Sequence, residues 1–314
     1  MKRILKWAGL SVFAILMVGI IAGWTPDSDP ASMRAKYANA ASQFINLGSG
    51  LNVHVRDEGS RSAPTILLLH GSNDSLQTWD PWVEKLKGKF RVIRVDLPGH
   101  GLTGPNPTGD YSNAAFADVV DAVANRLGAD HFTLVGHSMG GGVALTYALS
   151  HQDRVERLVL IDAAGGPVSK DTSLPIAFTI AKIPVLSSLM NVITPRSFVE
   201  QSVRQSMANQ NVIDDKMVDR YWDLFLYPGN REATTTRFQA APTLFKPTDL
   251  QQLRLPTLIL WGNQDQIFPK PTGEWFAANI PSAKLVTYDG VGHLPMQETA
   301  KRSVQDVIDW MGVK

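Results

Sequence analysis

Short, mostly apolar runs alternate along the chain with segments whose apolar residues recur at helical spacing. The runs cover 51–55, 65–69, 91–95, 132–135, 157–161, 257–260 and 284–287. Brief continuous apolar stretches bounded by turn residues suit strands buried on both faces. Between them, Phe116, Val119, Val120, Val123 and Leu127 fall on one helical face. Ala300, Val304, Val307, Ile308 and Met311 do the same after Pro295, a good first-turn residue. Strand and helix alternating in this way predict an α/β fold with a doubly wound, mostly parallel sheet. An antiparallel hairpin across Gly48-Ser49-Gly50 is expected to begin it.

The alternation stops over 165–253, a stretch rich in Leu, Ile, Phe and Met that Pro175, Pro184, Pro195 and Pro228 divide into short helical pieces. Its length far exceeds one crossover, so it predicts an inserted helical cap on a core formed by 44–164 and 254–314. At the other end, Lys2, Arg3 and Lys6 precede an uncharged apolar run over 7–24. A helix of that length spans about 27 Å, close to the thickness of a bilayer core. The run therefore predicts a signal anchor, with the amino terminus in the cytoplasm and the body on the extracytoplasmic side. The competing expectation is a cleaved signal peptide and a secreted body, but the small-x-small site Ala38-Asn39-Ala40 lies far downstream. Residues 25–43, with Pro26 and Pro30, predict a tether holding at most one short helix.

Composition narrows the chemistry. The 314 residues are 44% hydrophobic, enough for a deep core, and carry a formal net charge of +1 without a basic block. A nucleic-acid partner would leave a stripe of Lys and Arg, so none is expected. With no cysteine, there is no disulfide, thiolate nucleophile or cysteine metal site. The seven histidines show no ligand spacing, and neither metal nor cofactor is expected.

Open parallel sheets bind ligands beyond the carboxyl ends of their strands. Those ends carry His70-Gly71-Ser72-Asn73, Asp96-Leu97-Pro98-Gly99-His100-Gly101, Gly136-His137-Ser138-Met139-Gly140, Asp162, Asp265 and Gly290-Val291-Gly292-His293. Ser138 stands where a buried strand turns straight into a helix, and the glycines at 136 and 140 suit a turn too tight for Cβ atoms. A neutral serine needs a base to take its proton, and the base needs a carboxylate to hold its tautomer. His293, in a glycine-flanked loop, fits the base. Asp265, just past the penultimate strand, is preferred as the acid over Asp162; a turn-capping aspartate is the bland alternative.

The chain order Ser138, Asp265, His293, with the glycine-bracketed serine, the His70-Gly71 loop and the loop from Asp96 to Gly101, resembles the α/β-hydrolase family. The resemblance runs over about 44–311 and is least diagnostic in the expected cap. It implies an oxyanion hole built from the backbone amides of Met139 and Ser72, each donor worth about 3 kcal/mol of barrier. It also implies buttressing rather than proton-transfer roles for His70 and His100, and a packing role for His137. Trp79, Trp82, Trp222, Trp261 and Phe268 could line a pocket, although tryptophans in a domain of this size more often pack the core.

Family members that open epoxides or displace halide use an aspartate where Ser138 stands, which makes those reactions unsuited to this chain. Those that hydrolyse carbon–carbon bonds of ring-fission diketones use serine, typically with asparagine before it and tryptophan after the late histidine. Here those positions hold His137 and Leu294. Cofactor-free haloperoxidases share the three groups, leaving perhydrolysis as a side activity. The expectation is a membrane-tethered serine carboxylesterase or lipase acting on a small-molecule ester or lipid with an apolar acyl group. From a different class, a non-catalytic protein holding an apolar ligand in the cap cleft remains an alternative, which covalent labelling of Ser138 by a fluorophosphonate would separate.

Overall fold

The computed structural model describes residues 23–167 and 183–312, together with Trp7 and Thr179. Among them no helix is long and apolar enough to cross a membrane. The apolar run expected to do so lies outside the described residues, apart from Trp7, Gly23 and Trp24, as does Pro175 of the expected cap.

Eight strands form one sheet in the order β1-β2-β4-β3-β5-β6-β7-β8. They are β1 (Ser42–Asn46), β2 (Asn52–Glu58), β3 (Thr65–Leu69), β4 (Arg91–Val95), β5 (Phe132–His137), β6 (Val155–Ile161), β7 (Thr257–Gly262) and β8 (Ala283–Tyr288). The hairpin β1-β2 and the pair β2-β4 are antiparallel, and the remaining pairs are parallel. The opening hairpin and the doubly wound sheet are thus as the hydrophobic pattern predicts. Successive residues of β3 point to opposite faces. Leu67 and Leu69 join a core with α3 (Asn113–Leu127), α4 (Met139–Ser150) and α9 (Lys270–Asn279), whereas Ile66 and Leu68 join one with α2 (Asp80–Leu86) and α10 (Ala300–Met311). Burial on both sides is why these strands carry unbroken apolar runs.

Two segments differ from their expected form. Residues 25–43 hold a short helix, α1 (Pro30–Tyr37), with Asp29 at its N-cap and Pro30 in its first turn, and β1 already starts at Ser42. They do not hang free. Thr25 N–H donates to Val192 O at 2.8 Å, Asp27 pairs with Arg231 at 2.6 Å, and Lys36 and Tyr37 meet Asp223 at 2.6 and 2.7 Å. Polar residues that look like linker in sequence are partners for charges far along the chain. Pro295 starts only a single turn (Pro295–Glu298), and α10 begins after a break at Thr299.

Between β6 and β7 lie α5 (Pro184–Met190), α6 (Arg196–Ser206), α7 (Asp215–Phe225) and α8 (Asn230–Gln239). The apolar faces of α6 and α7 carry Val199, Val203, Val218, Leu224 and Phe225 inward.

The loops at the carboxyl edge of the sheet are braced by a buried carboxylate. Asp96 Oδ1 accepts from Leu76 N–H at 2.7 Å, and its Oδ2 accepts from Leu102 N–H at 2.9 Å and meets His54 Nδ1 at 2.7 Å. Burial pushes this carboxyl up, but the hydrogen bond and charge of His54, the charge of His70 and the Leu102 N–H together outweigh it and hold the group below the usual carboxylate range. Asp96→Ala strands these donors in the interior. It is expected to cost about 3–5 kcal/mol in urea unfolding; a loss no larger than that of an exposed aspartate would show that the brace carries no stability.

Candidate active site

At the end of β5 the chain reverses within one residue. Ser138 takes φ 52° and ψ −118°, a left-handed conformation strained for any residue with a Cβ, and α4 begins at Met139. The turn is closed by backbone contact. A Cβ at Gly136 would lie 2.2 Å from Gly140 O, and one at Gly140 would lie 2.5 Å from His70 O, so neither position admits a side chain. Ser138 N–H donates to Ile161 O, and Ser138 O accepts from Ala164 N–H, each at 2.9 Å. The serine is thereby held at the bottom of a cavity of about 590 Å³ that Ser72, Met139 and His293 also line.

The structure brings His293 and Asp265 together. His293 Nδ1 lies 2.7 Å from Asp265 Oδ2, and both side chains are buried. Asp265 Oδ1 in turn accepts from Ile267 N–H at 2.7 Å and Phe268 N–H at 3.1 Å, which fixes the carboxylate in its loop after β7. The Phe268 ring packs edge-on against the imidazole at 5.6 Å.

Asp162, the other acid at a strand end, uses Oδ1 to accept from Gly262 N–H at 3.0 Å, while among the described residues its buried Oδ2 has no hydrogen-bond partner. Burial first, then the charge of Asp265, raise its carboxyl well above the usual range. Asp162, Asp265 and His293 could offer metal-ligand atoms within 4.8 Å of one another. The 2.7 Å contact between His293 Nδ1 and Asp265 Oδ2 within this group is a hydrogen bond.

Ser72 and Met139 both line the cavity, and among the described residues neither backbone N–H has a protein acceptor. The loop of Ser72 is set by His70, whose Nδ1–H donates to Gly71 O at 2.7 Å while Nε2 accepts from Leu97 N–H at 3.1 Å. His100 Nδ1 lies 3.0 Å from Pro98 O, and burial holds its imidazole well below the ordinary histidine range. His137 donates from Nε2 to His293 O at 2.8 Å, and burial keeps it neutral in the same way. It pins the backbone of its neighbour.

Two contributors escaped sequence reasoning. Glu298 Oε1 accepts from Gly292 N–H at 3.0 Å, and its Oε2 accepts from Ala208 and Asn209 N–H at 2.8 Å each, clamping the His293 loop to the segment after α6. A carboxylate three residues past a proline resembles a helix cap, and nothing local signals the clamp. Arg237, on α8, reaches the side chains of Ser72, Asn73 and Met139. It lies in the stretch 165–253, where the sequence pattern holds no register to the site. Of the tryptophans considered for the pocket, Trp79, Trp82 and Trp261 are fully buried in the core, Trp222 packs against it, and none lines the cavity, whereas Phe268 does.

The family model for the alpha/beta hydrolase fold matches residues 64–299. An uncharacterized protein of Mycobacterium tuberculosis is 30% identical over 263 residues, which cover 79% of this chain and 75% of the relative. A 2-hydroxy-6-oxononadienedioate/2-hydroxy-6-oxononatrienedioate hydrolase of Paraburkholderia phymatum is 26% identical over 287 residues, covering 87% of this chain and 96% of that one. Among solved structures, a thermophilic esterase from Thermogutta terrifontis superposes with a TM-score of 0.72 at 27% identity, over 87% of this chain and 98% of its own. With its sheet order, its strand-turn-helix serine and a family match over three quarters of its length, this chain belongs to the alpha/beta hydrolase fold family.

Proposed function

We propose that the protein is a serine hydrolase that cleaves carboxylic esters with an apolar acyl group through an acyl-enzyme. The observation that carries this reading is the 2.7 Å contact from Asp265 to His293, with the imidazole facing the same cavity as Ser138. His293 takes the proton of Ser138 as the hydroxyl oxygen attacks the ester carbonyl. The tetrahedral oxyanion is held by the amides of Ser72 and Met139, and His293 returns the proton to the departing alcohol. Water activated by the same imidazole then releases the acid. Phe116, Val203, Phe225, Leu244 and Ile267 on the cavity wall suit an apolar acyl chain. In this reading the segment 165–253 acts as the cap, and 7–24 anchors the chain with its body outside the cytoplasm. Full-length chain that stays soluble when membranes are sedimented would sink the anchor.

Hydrolysis of a carbon–carbon bond in a ring-fission diketone is the second reading, favoured by the relative from Paraburkholderia phymatum. We rank it below esters because His137 and Leu294 stand where such hydrolases typically carry asparagine and tryptophan. Rates over aryl esters of increasing acyl length, with such a diketone alongside, decide the order. A clear preference for the diketone reverses it.

Ser138→Ala should abolish turnover and fluorophosphonate labelling together, and an active variant would end the scheme. Asp265→Asn is expected to lower kcat by about 10⁴-fold, since the amide holds the wrong tautomer, whereas Asp162→Asn keeps most of the activity. The reverse pattern would move the acid role to Asp162.

Asp162 also makes a stability prediction. Its proton is held to a higher pH in the folded chain than in the unfolded one, where the carboxyl titrates near about 3.9. Above that pH the folded state binds more protons, so stability falls as pH rises toward the folded pKa. Asp162→Asn has no proton to lose. Its Tm relative to wild type should therefore climb from acid to neutral pH, and a constant offset in calorimetry would contradict a neutral Asp162.

A further inference from the structure

The cavity holds a cation that the triad does not use. Arg237 is the one Lys or Arg among the described residues that line it. Its Nη1 donates to Ser72 Oγ and lies 2.7 Å from Met139 Sδ, Nη2 donates to Asn73 Oδ1 at 3.2 Å, and the buried Nε has no acceptor. Every one of these partners is neutral.

Buried arginines among the described residues are paired with carboxylates, Arg91 with Asp57 at 2.8 Å, Arg94 with Glu58 at 2.6 Å and Arg231 with Asp27 at 2.6 Å, whereas the half-buried Arg220 and Arg237 form no such ion pair. Arg237 has no carboxylate partner among the described residues. The two acids on the cavity wall are occupied. Asp74 Oδ2 accepts from Tyr221 O–H at 3.0 Å and Oδ1 from Ser75 N–H at 2.8 Å, while Asp110 Oδ1 accepts from Ser112 N–H at 2.8 Å. Asp74 lies in the field of a different cation, Arg220. Burial pulls the Arg237 pKa down to about 9, which still leaves the guanidinium protonated at neutral pH. A charge kept in an apolar cavity without a counter-ion is costly unless a ligand supplies one.

Resting on the serine-hydrolase reading, we propose that Arg237 is an anion subsite, and that the substrate carries a carboxylate close to its scissile carbonyl. Position argues for this ligand. Arg237 touches the side chains of Ser72 and Met139, the residues whose amides border the oxyanion position, so the anion docks beside the reacting carbonyl rather than at the far apolar wall. The planar fork of a guanidinium matches the two oxygens of a carboxylate, and one cation balances one negative charge. A neutral ester covers the guanidinium without pairing it. The cavity therefore selects half-esters of acids, or esters of acidic alcohols, over wholly neutral lipids.

Three esters of equal acyl length test this in wild type, Arg237→Gln and Arg237→Lys: a neutral nitrophenyl pentanoate, a nitrophenyl half-ester of glutaric acid, and a pentanoate of a carboxylated nitrophenol. Wild type should prefer at least one acidic ester over the neutral one. The preferred probe shows whether the anion belongs to the acid or the alcohol half. Arg237→Gln should reduce the acidic-to-neutral ratio of kcat/KM by roughly 10- to 100-fold, mainly through KM, and Arg237→Lys should restore part of it. A wild-type ratio below one for both acidic esters, or an unchanged ratio in Arg237→Gln, overturns the subsite. Fluorophosphonate labelling of Ser138 in the same samples separates the two ideas. Unlabelled wild type defeats the hydrolase reading, while labelled protein with an unchanged ratio defeats only the subsite. Should Arg237→Gln fail to fold, the wild-type ratios still decide.

Discussion

Everything at the carboxyl edge of the sheet depends on how closely backbone approaches backbone beneath Ser138. Gly140 lies against the carbonyls of Leu69 and His70 at the end of β3, and Gly136 lies against Gly140 itself. With both contacts made, β5 passes into α4 without a loop, and the strained Ser138 lines the cavity. The strain, of order 1–3 kcal/mol, is sustained by a core in which the neighbouring strands are buried on both faces. A looser turn would leave the serine without a fixed direction.

The loops that meet Ser138 are held by buried polar groups as well as by apolar packing. Asp96 ties the segment after β3 to the loop after β4, and His70 joins the same two loops through Gly71 and Leu97. On the other side, His137 and Glu298 hold the backbone around His293, and Ser206 O accepts from His293 N–H at 2.8 Å. Each brace is an acceptor or donor whose partners have no other outlet once buried. Such groups are stabilising only when satisfied, which makes them sensitive to single substitutions.

Charge in the site is arranged by burial as much as by pairing. Asp265 is committed to His293 and two backbone amides, and the nearby Asp162 is pushed toward its neutral form. Across the cavity Arg237 keeps a positive charge among neutral acceptors. An ionised pair of acids behind the imidazole would be strongly repulsive at this depth. The cation beside Ser72 and Met139 is what the proposed anionic substrate would pair with.

The strands, the hairpin and the helices over 113–127 and 300–311 were legible because local pattern encodes them, and chain order marked Ser138, Asp265 and His293 as candidates. Unbroken apolar runs mark strands covered on both faces, and glycines flanking a serine mark a turn too tight for side chains. Other features depend on which distant residues meet. The docking of 25–43 rests on Asp27 finding Arg231 and Lys36 finding Asp223, pairs about two hundred residues apart. The 2.7 Å contact with His293 favours Asp265 over Asp162, and the contacts of Glu298 and Arg237 depend on how 165–253 packs onto the sheet edge. By itself the sequence determined the sheet, its order of chemistry-bearing strand ends and the place of the serine, because those follow from periodicity and turn sterics. Only the tertiary structure decided which buried charges are paired, because a counter-ion is a property of position in space and leaves no trace in spacing along the chain.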